Sequence, residues 1–94
     1  MSRNFRTPAG EIDLIMRDGE TIVFIEVRSR AHARYLHPAD TVDEHKQRRI
    51  VQAGQQFLQN RRMLDGVDCR FDVIAITGPV HARKIEWIKD AFDA

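Results

Sequence analysis

The stretch EIDLIMRDGETIVFIEVR, Glu11 to Arg28, decides the fold. Apolar and polar side chains alternate at period two on either side of Asp18-Gly19, a dipeptide preferred in two-residue type I′ hairpin turns. The spacing predicts two antiparallel strands, Glu11 to Arg17 and Thr21 to Arg28. With Asp18-Gly19 as the loop, Arg17 pairs with Glu20, Leu14 with Val23, Asp13 with Phe24 and Glu11 with Glu26. One face then carries Ile12, Leu14, Met16, Val23, Ile25 and Val27 and is wholly apolar. The other carries Glu11, Asp13, Ile15, Ile22, Phe24, Glu26 and Arg28, apolar beside the turn and charged at the far end. In that register Asp13 and Glu26 are diagonal neighbours, roughly 7–8 Å apart at the backbone, so their carboxylates can converge.

Converging carboxylates beside Phe24 and Ile22 repel each other and lose solvation unless a positive charge sits among them. Two arrangements answer this. One is a hard divalent cation, because oxygen ligands without imidazole or thiolate nearby favour Mg²⁺ or Mn²⁺ over Zn²⁺. The other is Arg28 neutralising Glu26 while the acids sit at a solvated sheet edge.

Outward from the hairpin, a loop with Tyr35, Pro38 and Asp40 leads to Thr41-Val-Asp-Glu44, which has the spacing of a capping box. The helix it opens should run to about Arg62, with Ile50, Ala53, Gly54, Phe57 and Leu58 forming one buried stripe against a sheet. Lys46 falls on that stripe, so it either reaches the acids or snorkels to water. After a turn at Asp65-Gly66, the segment Arg70 to Thr77 is apolar at its centre, as a strand covered on both faces would be. Asp72 within it is expected to hydrogen-bond inside the fold. Gly78-Pro79 ends this strand, and Lys84 to Ile88 reads as a further strand before a brief C-terminal turn or helix. Trp87 and Phe92 are expected in the core or an interface. The order β-β-α-β-β defines an α/β domain with a mixed sheet, a single domain over residues 1–94.

Composition narrows the function classes. At 94 residues, 43% hydrophobic and 31% charged, the chain is of ordinary globular type. Its longest aliphatic and aromatic runs, Ile22 to Ile25 and Val73 to Ile76, are four residues, against the roughly 20 needed to span a bilayer. No apolar leader follows Met1, so a cytoplasmic protein without a membrane partner is expected. The lone Cys69 makes neither an internal disulfide nor a zinc site and is expected to be a small buried hydrophobe. Fifteen basic residues nearly balance fourteen acidic ones, yet His45 to Leu64 holds five basic residues and no acid. Twelve of the fifteen are arginine, whose planar fork suits phosphate. Arg30, Arg48 and Arg49 are therefore candidates to track a nucleic-acid backbone, or else a solvated face. No Gly-rich phosphate loop or Ser/Cys-His nucleophile is present.

Gly10-Glu-Ile-Asp-Leu-Ile15, Phe24-Ile-Glu-Val-Arg28-Ser-Arg30, Val42-Asp-Glu-His-Lys46-Gln-Arg-Arg49 and Arg70-Phe-Asp-Val73 together resemble the YraN family of small bacterial proteins. That family is similar in turn to the PD-(D/E)xK nucleases, which include restriction endonucleases and Holliday-junction resolvases. The resemblance runs from about Asn4 to Phe92 and implies a restriction-endonuclease-like core. It implies a Mg²⁺- or Mn²⁺-dependent endonuclease acting on DNA, including branched or junction DNA, with Asp13, Glu26 and Arg28 as catalytic residues; Lys46, turned toward the sheet by its helical spacing, is a further catalytic candidate. Asp13, Glu26 and the Val27 carbonyl would hold the metal. The chain departs from the pattern at Arg28, where lysine is usual, and an arginine cannot give up a proton as a base. The resemblance also implies an N-terminal helix ahead of Asn4; without it, an exposed apolar face is expected to favour a homodimer. Alternatives are a nucleic-acid-binding relative without cleavage and a protein-interaction module.

Overall fold

In the computed structural model, residues 2–30, 42–62 and 66–93 are described. The expected loop with Tyr35, Pro38 and Asp40, together with Thr41 and Asp65, lies outside them. The elements are β1 (Ser2–Arg6), β2 (Glu11–Asp18), β3 (Thr21–Arg30), α1 (Glu44–Asn60), β4 (Cys69–Thr77) and β5 (Lys84–Phe92), with a 3₁₀ turn at Val80–Ala82. The strands form one mixed sheet in the order β1-β2-β3-β4-β5, antiparallel except for the β3–β4 pair. The parallel pair follows from the helix between those strands, which carries the chain back to the end where β3 began.

Two strands depart from the sequence expectation. β1 was not anticipated: SRNFR carries a single large apolar residue, too little for a periodicity, and it becomes a strand because β2 offers a free edge. β5 runs on to Phe92, through residues expected to form a turn or helix, and absorbs a register shift opposite Phe71–Val73 with Asp90 at φ 53°.

The hairpin register also differs. Asp18 pairs with Thr21, Met16 with Val23 and Leu14 with Ile25, so the loop is Gly19-Glu20 and not Asp18-Gly19. Gly19 takes the first central position at φ 62°, while Glu20 needs no positive φ, which is the requirement of a type II′ turn. Moving the loop by one residue moves each partner by two, so the two faces keep their predicted membership on β3. On β2 they do not. Ile12 and Ile15, three residues apart, both join the core beside α1, so alternation breaks between them. The β1–β2 register sets Asn4, at φ 52°, opposite this break.

The helix covers the mixed face. Ile50, Ala53, Phe57 and Leu58 pack with Ile12, Ile15, Ile22, Phe24, Phe71, Val73 and Phe92. The chain's five phenylalanines form one connected line across this layer. Phe5 and Phe24 meet Phe57 edge-on at 5.4 and 6.0 Å, and Phe24, Phe71 and Phe92 stack in turn at 5.3 and 5.2 Å. Such pairs add about 0.5–1.5 kcal/mol each beyond area burial. The N-cap falls two residues later than the capping-box reading: it is Asp43, its Oδ1 accepting the Lys46 N–H at 2.8 Å.

On the opposite face Val23 and Ile25 are buried, while Met16, Ile85 and Trp87 are exposed. Trp87 is 47% exposed rather than inside, because its indole N–H reaches Asp72 from the sheet's outer face. Asp72 is fully buried and hydrogen-bonds within the fold. Its oxygens accept from Arg70 Nε at 3.1 and 3.2 Å, from Trp87 Nε1 at 2.8 Å and from the Asp90 N–H at 2.9 Å. Cys69, expected inside, is exposed at the start of β4. Among the described residues no helix is long and apolar enough to cross a membrane.

Gly10 fixes how closely the β1–β2 turn approaches the helix. A Cβ there would lie 2.8 Å from the Arg49 carbonyl oxygen and 3.0 Å from its Cβ. Since the obstacle is helix backbone, Gly10→Ala is expected to cost about 1–3 kcal/mol, read as a lowered urea midpoint at unchanged m-value. Unchanged stability would show that this approach is not tight.

Candidate metal and phosphodiester site

Asp13 stands in β2 between Ile12 and Leu14, at the break in alternation. The paired hairpin register ends at Leu14–Ile25, one residue short of Asp13 and Glu26 on either strand. Its Oδ2 accepts the Val27 N–H at 2.8 Å. That bond occupies one backbone donor of β3 and points the carboxylate along the strand toward its partner acid.

Glu26 follows Phe24 on the helix face of β3 and is 6% exposed. Burial, followed by its hydrogen bond to Asp13 and the Asp13 charge, pushes the Glu26 carboxyl up to about 7. Lys46 and Arg28 oppose that shift. Lys46 Nζ lies 3.6 Å from Glu26 Oε2, brought there by the first turn of α1. The lysine's side chain remains 39% exposed, so it spans from the acid to solvent.

Arg28 is two residues beyond Glu26 and half-buried. Its Nε is buried and has no hydrogen-bond partner, the only such side-chain atom among the described residues. The charge-neutralising alternative therefore does not take the form of a direct pair: Glu26 has its ion pair with Lys46, and Arg28 acts on it through space.

The arginines proposed to track a backbone separate. Arg49 turns toward the β1–β2 hairpin, where its Nε donates to the Ala9 carbonyl at 2.9 Å, and it lines the same cleft as Lys46. Arg48, one position away on the helix, lines a different groove with Gln52 and Asp93. Arg30 ends β3 opposite Thr77. Sequence reasoning missed Arg6 and His45, which share the Lys46 cleft. Only the Thr7–Gly10 hairpin, which closes β1 onto β2, brings Arg6 there.

Among the described residues, no group of three or more His, Cys, Asp or Glu side chains could hold a metal. Two carboxylates with a backbone carbonyl is nonetheless a donor set suited to Mg²⁺, which keeps several waters and commonly takes one or two protein carboxylates. The hard oxygen donors fit that class of ion.

Among the described residues, the fold and site thus define an α/β protein with a five-stranded mixed sheet, one covering helix and a paired-carboxylate centre beside a lysine. Residues 1–76, β1 through all but the last residue of β4, match the model of the uncharacterised protein family UPF0102. The chain is 46% identical over 93 residues to a UPF0102 protein of Coxiella burnetii, covering 99% of this chain and 75% of that one. It is 45% identical over 94 residues to a UPF0102 protein of Pseudomonas putida, covering 99% and 76% respectively. To the UPF0102 protein of Chromohalobacter salexigens it is 52% identical over 85 residues, covering 90% and 68%. The chain belongs to the UPF0102 family.

Proposed function

We propose that this protein is a metal-dependent endonuclease that hydrolyses phosphodiester bonds in DNA, with a restriction-endonuclease-like core. The reading is carried by one observation: Asp13 and Glu26 meet through their carboxyls next to Val27, with Lys46 Nζ 3.6 Å from Glu26. It is supported by the resemblance to PD-(D/E)xK nucleases, in which acids at these two positions serve one reaction.

Asp13, Glu26 and the Val27 carbonyl would hold Mg²⁺ or Mn²⁺. When bound, such an ion polarises a phosphodiester and lowers the pKa of water. The chain's own residues do the rest. The Val27 N–H fixes the orientation of Asp13. Glu26, with its carboxyl near 7, releases its proton in the neutral range and becomes a second anionic ligand. Arg28, whose charge already acts on Glu26, would offset charge growing on the phosphate. Lys46 adds a second cation on the other side of Glu26. As an arginine, Arg28 would offset charge rather than act as a base.

The test is a nicking assay on linear, supercoiled and four-way-junction DNA with Mg²⁺ or Mn²⁺. Wild type is expected to nick and Glu26→Ala to lose at least about 100-fold in rate, as when a group acting in the transition state is removed. Equal rates in the two proteins would overturn the assignment. Arg28 in place of lysine favours a second reading, DNA binding without cleavage, and the same assay separates the two. No step depends on a second copy of the chain; the exposed Met16, Ile85 and Trp87 are where one would dock.

A further inference from the structure

A cleft of about 480 Å³ lies between the β1–β2 hairpin and the start of α1, beside the acids. Its hairpin wall carries Arg6 and Glu11, and its helix wall carries Asp43, His45, Lys46 and Arg49. The two carboxylates are committed to local partners, Glu11 to Arg6 at 3.3 Å and Asp43 to the Lys46 N–H at 2.8 Å. Arg49 is anchored by its Nε to Ala9, which leaves the far end of its guanidinium available. Arg49, together with Arg6 shared with Glu11 and Lys46 shared with Glu26, therefore lines one concavity with His45, and Lys46 links it to Glu26.

From this we infer that the cleft binds the phosphate backbone of an unpaired nucleic-acid strand next to the carboxylate site. The inference rests on the proposed phosphodiester chemistry for its choice of ligand, but it requires no metal. The volume falls in the range of small-ligand pockets, about 300–1,000 Å³, and suits a nucleotide unit. Cations stand on both walls, so a phosphate must enter the concavity to meet them. An unpaired strand bends into it, whereas base pairing holds a duplex's phosphates on a rigid outer surface. Arg6 and His45 thereby gain a role that neither charge counting nor the resemblance assigned.

Fluorescence anisotropy of short labelled single-stranded DNA and RNA, and of the matching DNA duplex, tests this in EDTA across a salt series. The two single-stranded arms ask whether the shared phosphate chemistry is enough or the sugar contributes; tighter binding of either than of duplex supports the cleft. Arg6→Gln with Arg49→Gln should weaken single-strand binding at least about tenfold and lower the salt slope by about 1.4, at about 0.7 per phosphate contact. Arg6→Gln with His45→Gln, which leaves the Arg49–Ala9 anchor intact, guards against a folding defect and should likewise weaken single-strand binding. Arg83→Gln with Lys84→Gln removes two charges at the far sheet edge and should change affinity less than twofold. Duplex binding as tight as single strand, or equal losses in the cleft and edge variants, would overturn the inference. Mn²⁺ titration of the same variants should be unchanged; a wild type that binds no Mn²⁺ counts against the nuclease reading and leaves the cleft's strand binding to stand or fall on the anisotropy.

Discussion

Asp72→Ala is expected to destabilise the protein by about 3–5 kcal/mol, the cost of removing one partner from a buried, fully hydrogen-bonded charge. The carboxylate is fully buried and takes donors from three residues: the Arg70 guanidinium, the Trp87 indole and the Asp90 backbone. Alanine removes the shared acceptor from all three at once. Arg70 keeps Asp18 at 2.8 Å, so its charge is not left wholly unpaired, whereas the indole and the Asp90 amide lose their acceptor. The Asp90 amide matters most for the fold, because it holds the irregular step where β5 shifts register against β4. For a domain of this length each kcal/mol moves Tm by about 4–8 °C, so the loss is readily seen in a thermal melt. Asp72→Asn retains one acceptor and should cost less than half as much. Trp87 is the only tryptophan, and a negative charge at its indole N–H favours the excited state, so its fluorescence should shift to the blue in folded Asp72→Asn. A melt unchanged in Asp72→Ala would mean that the cluster is not a determinant of stability.

The second large effect has the opposite sign. Glu26→Gln should stabilise the metal-free protein at pH 8 by up to about 3 kcal/mol while removing its affinity for divalent ions. In the folded chain the Glu26 carboxyl is raised to about 7 from an ordinary 4.5, so the folded state binds the proton more tightly than the unfolded state does. Its stabilising contribution is therefore fully present below about pH 4.5 and is lost as pH rises through 7. A shift of that size corresponds to about 3 kcal/mol, and glutamine, uncharged at every pH, escapes the loss. Asp18 acts at a different pH: Arg70 holds its carboxyl below the usual range, so its contribution is lost only as pH falls into the acid region. Urea unfolding in EDTA at pH 5 and pH 8 should show wild type losing stability on going up and Glu26→Gln staying flatter. A divalent ion should restore wild type at pH 8, and its apparent affinity should climb up to about tenfold per pH unit below 7 as the Glu26 proton becomes easier to displace. Wild-type stability independent of pH in this window, or a Glu26→Gln protein less stable at pH 8, would show that the acids are not in a costly arrangement. Stability traded against ion binding at one residue is the pattern expected of a functional site rather than a structural one.

How much of this was legible beforehand differs from element to element. The alternation of EIDLIM and TIVFIEV was enough to place Asp13 and Glu26 on paired strands, and the spacing of Lys46 to Ile50, Ala53 and Phe57 was enough to turn the lysine inward. The register error left the β3 faces unchanged, because a one-residue change in the loop moves each partner by an even number. β1 was invisible, since SRNFR has no pattern of its own and is a strand only because β2 has an open edge. Arg6 was out of reach for the same reason, arriving at the cleft through that strand and its turn.

What the order of residues specified alone was local: which segments extend, which coils into a helix, and which side chains each presents on a face, because periods of 2 and 3.6 are properties of the backbone. What needed the assembled chain was every relation between segments far apart along it. The break of alternation at Asp13, the 3.6 Å approach of Lys46 to Glu26 and the convergence of Arg70, Trp87 and Asp90 on Asp72 are of this kind. So is the carboxyl near 7, because burial and a neighbouring charge raise it and neither exists until helix and sheet have closed around Glu26.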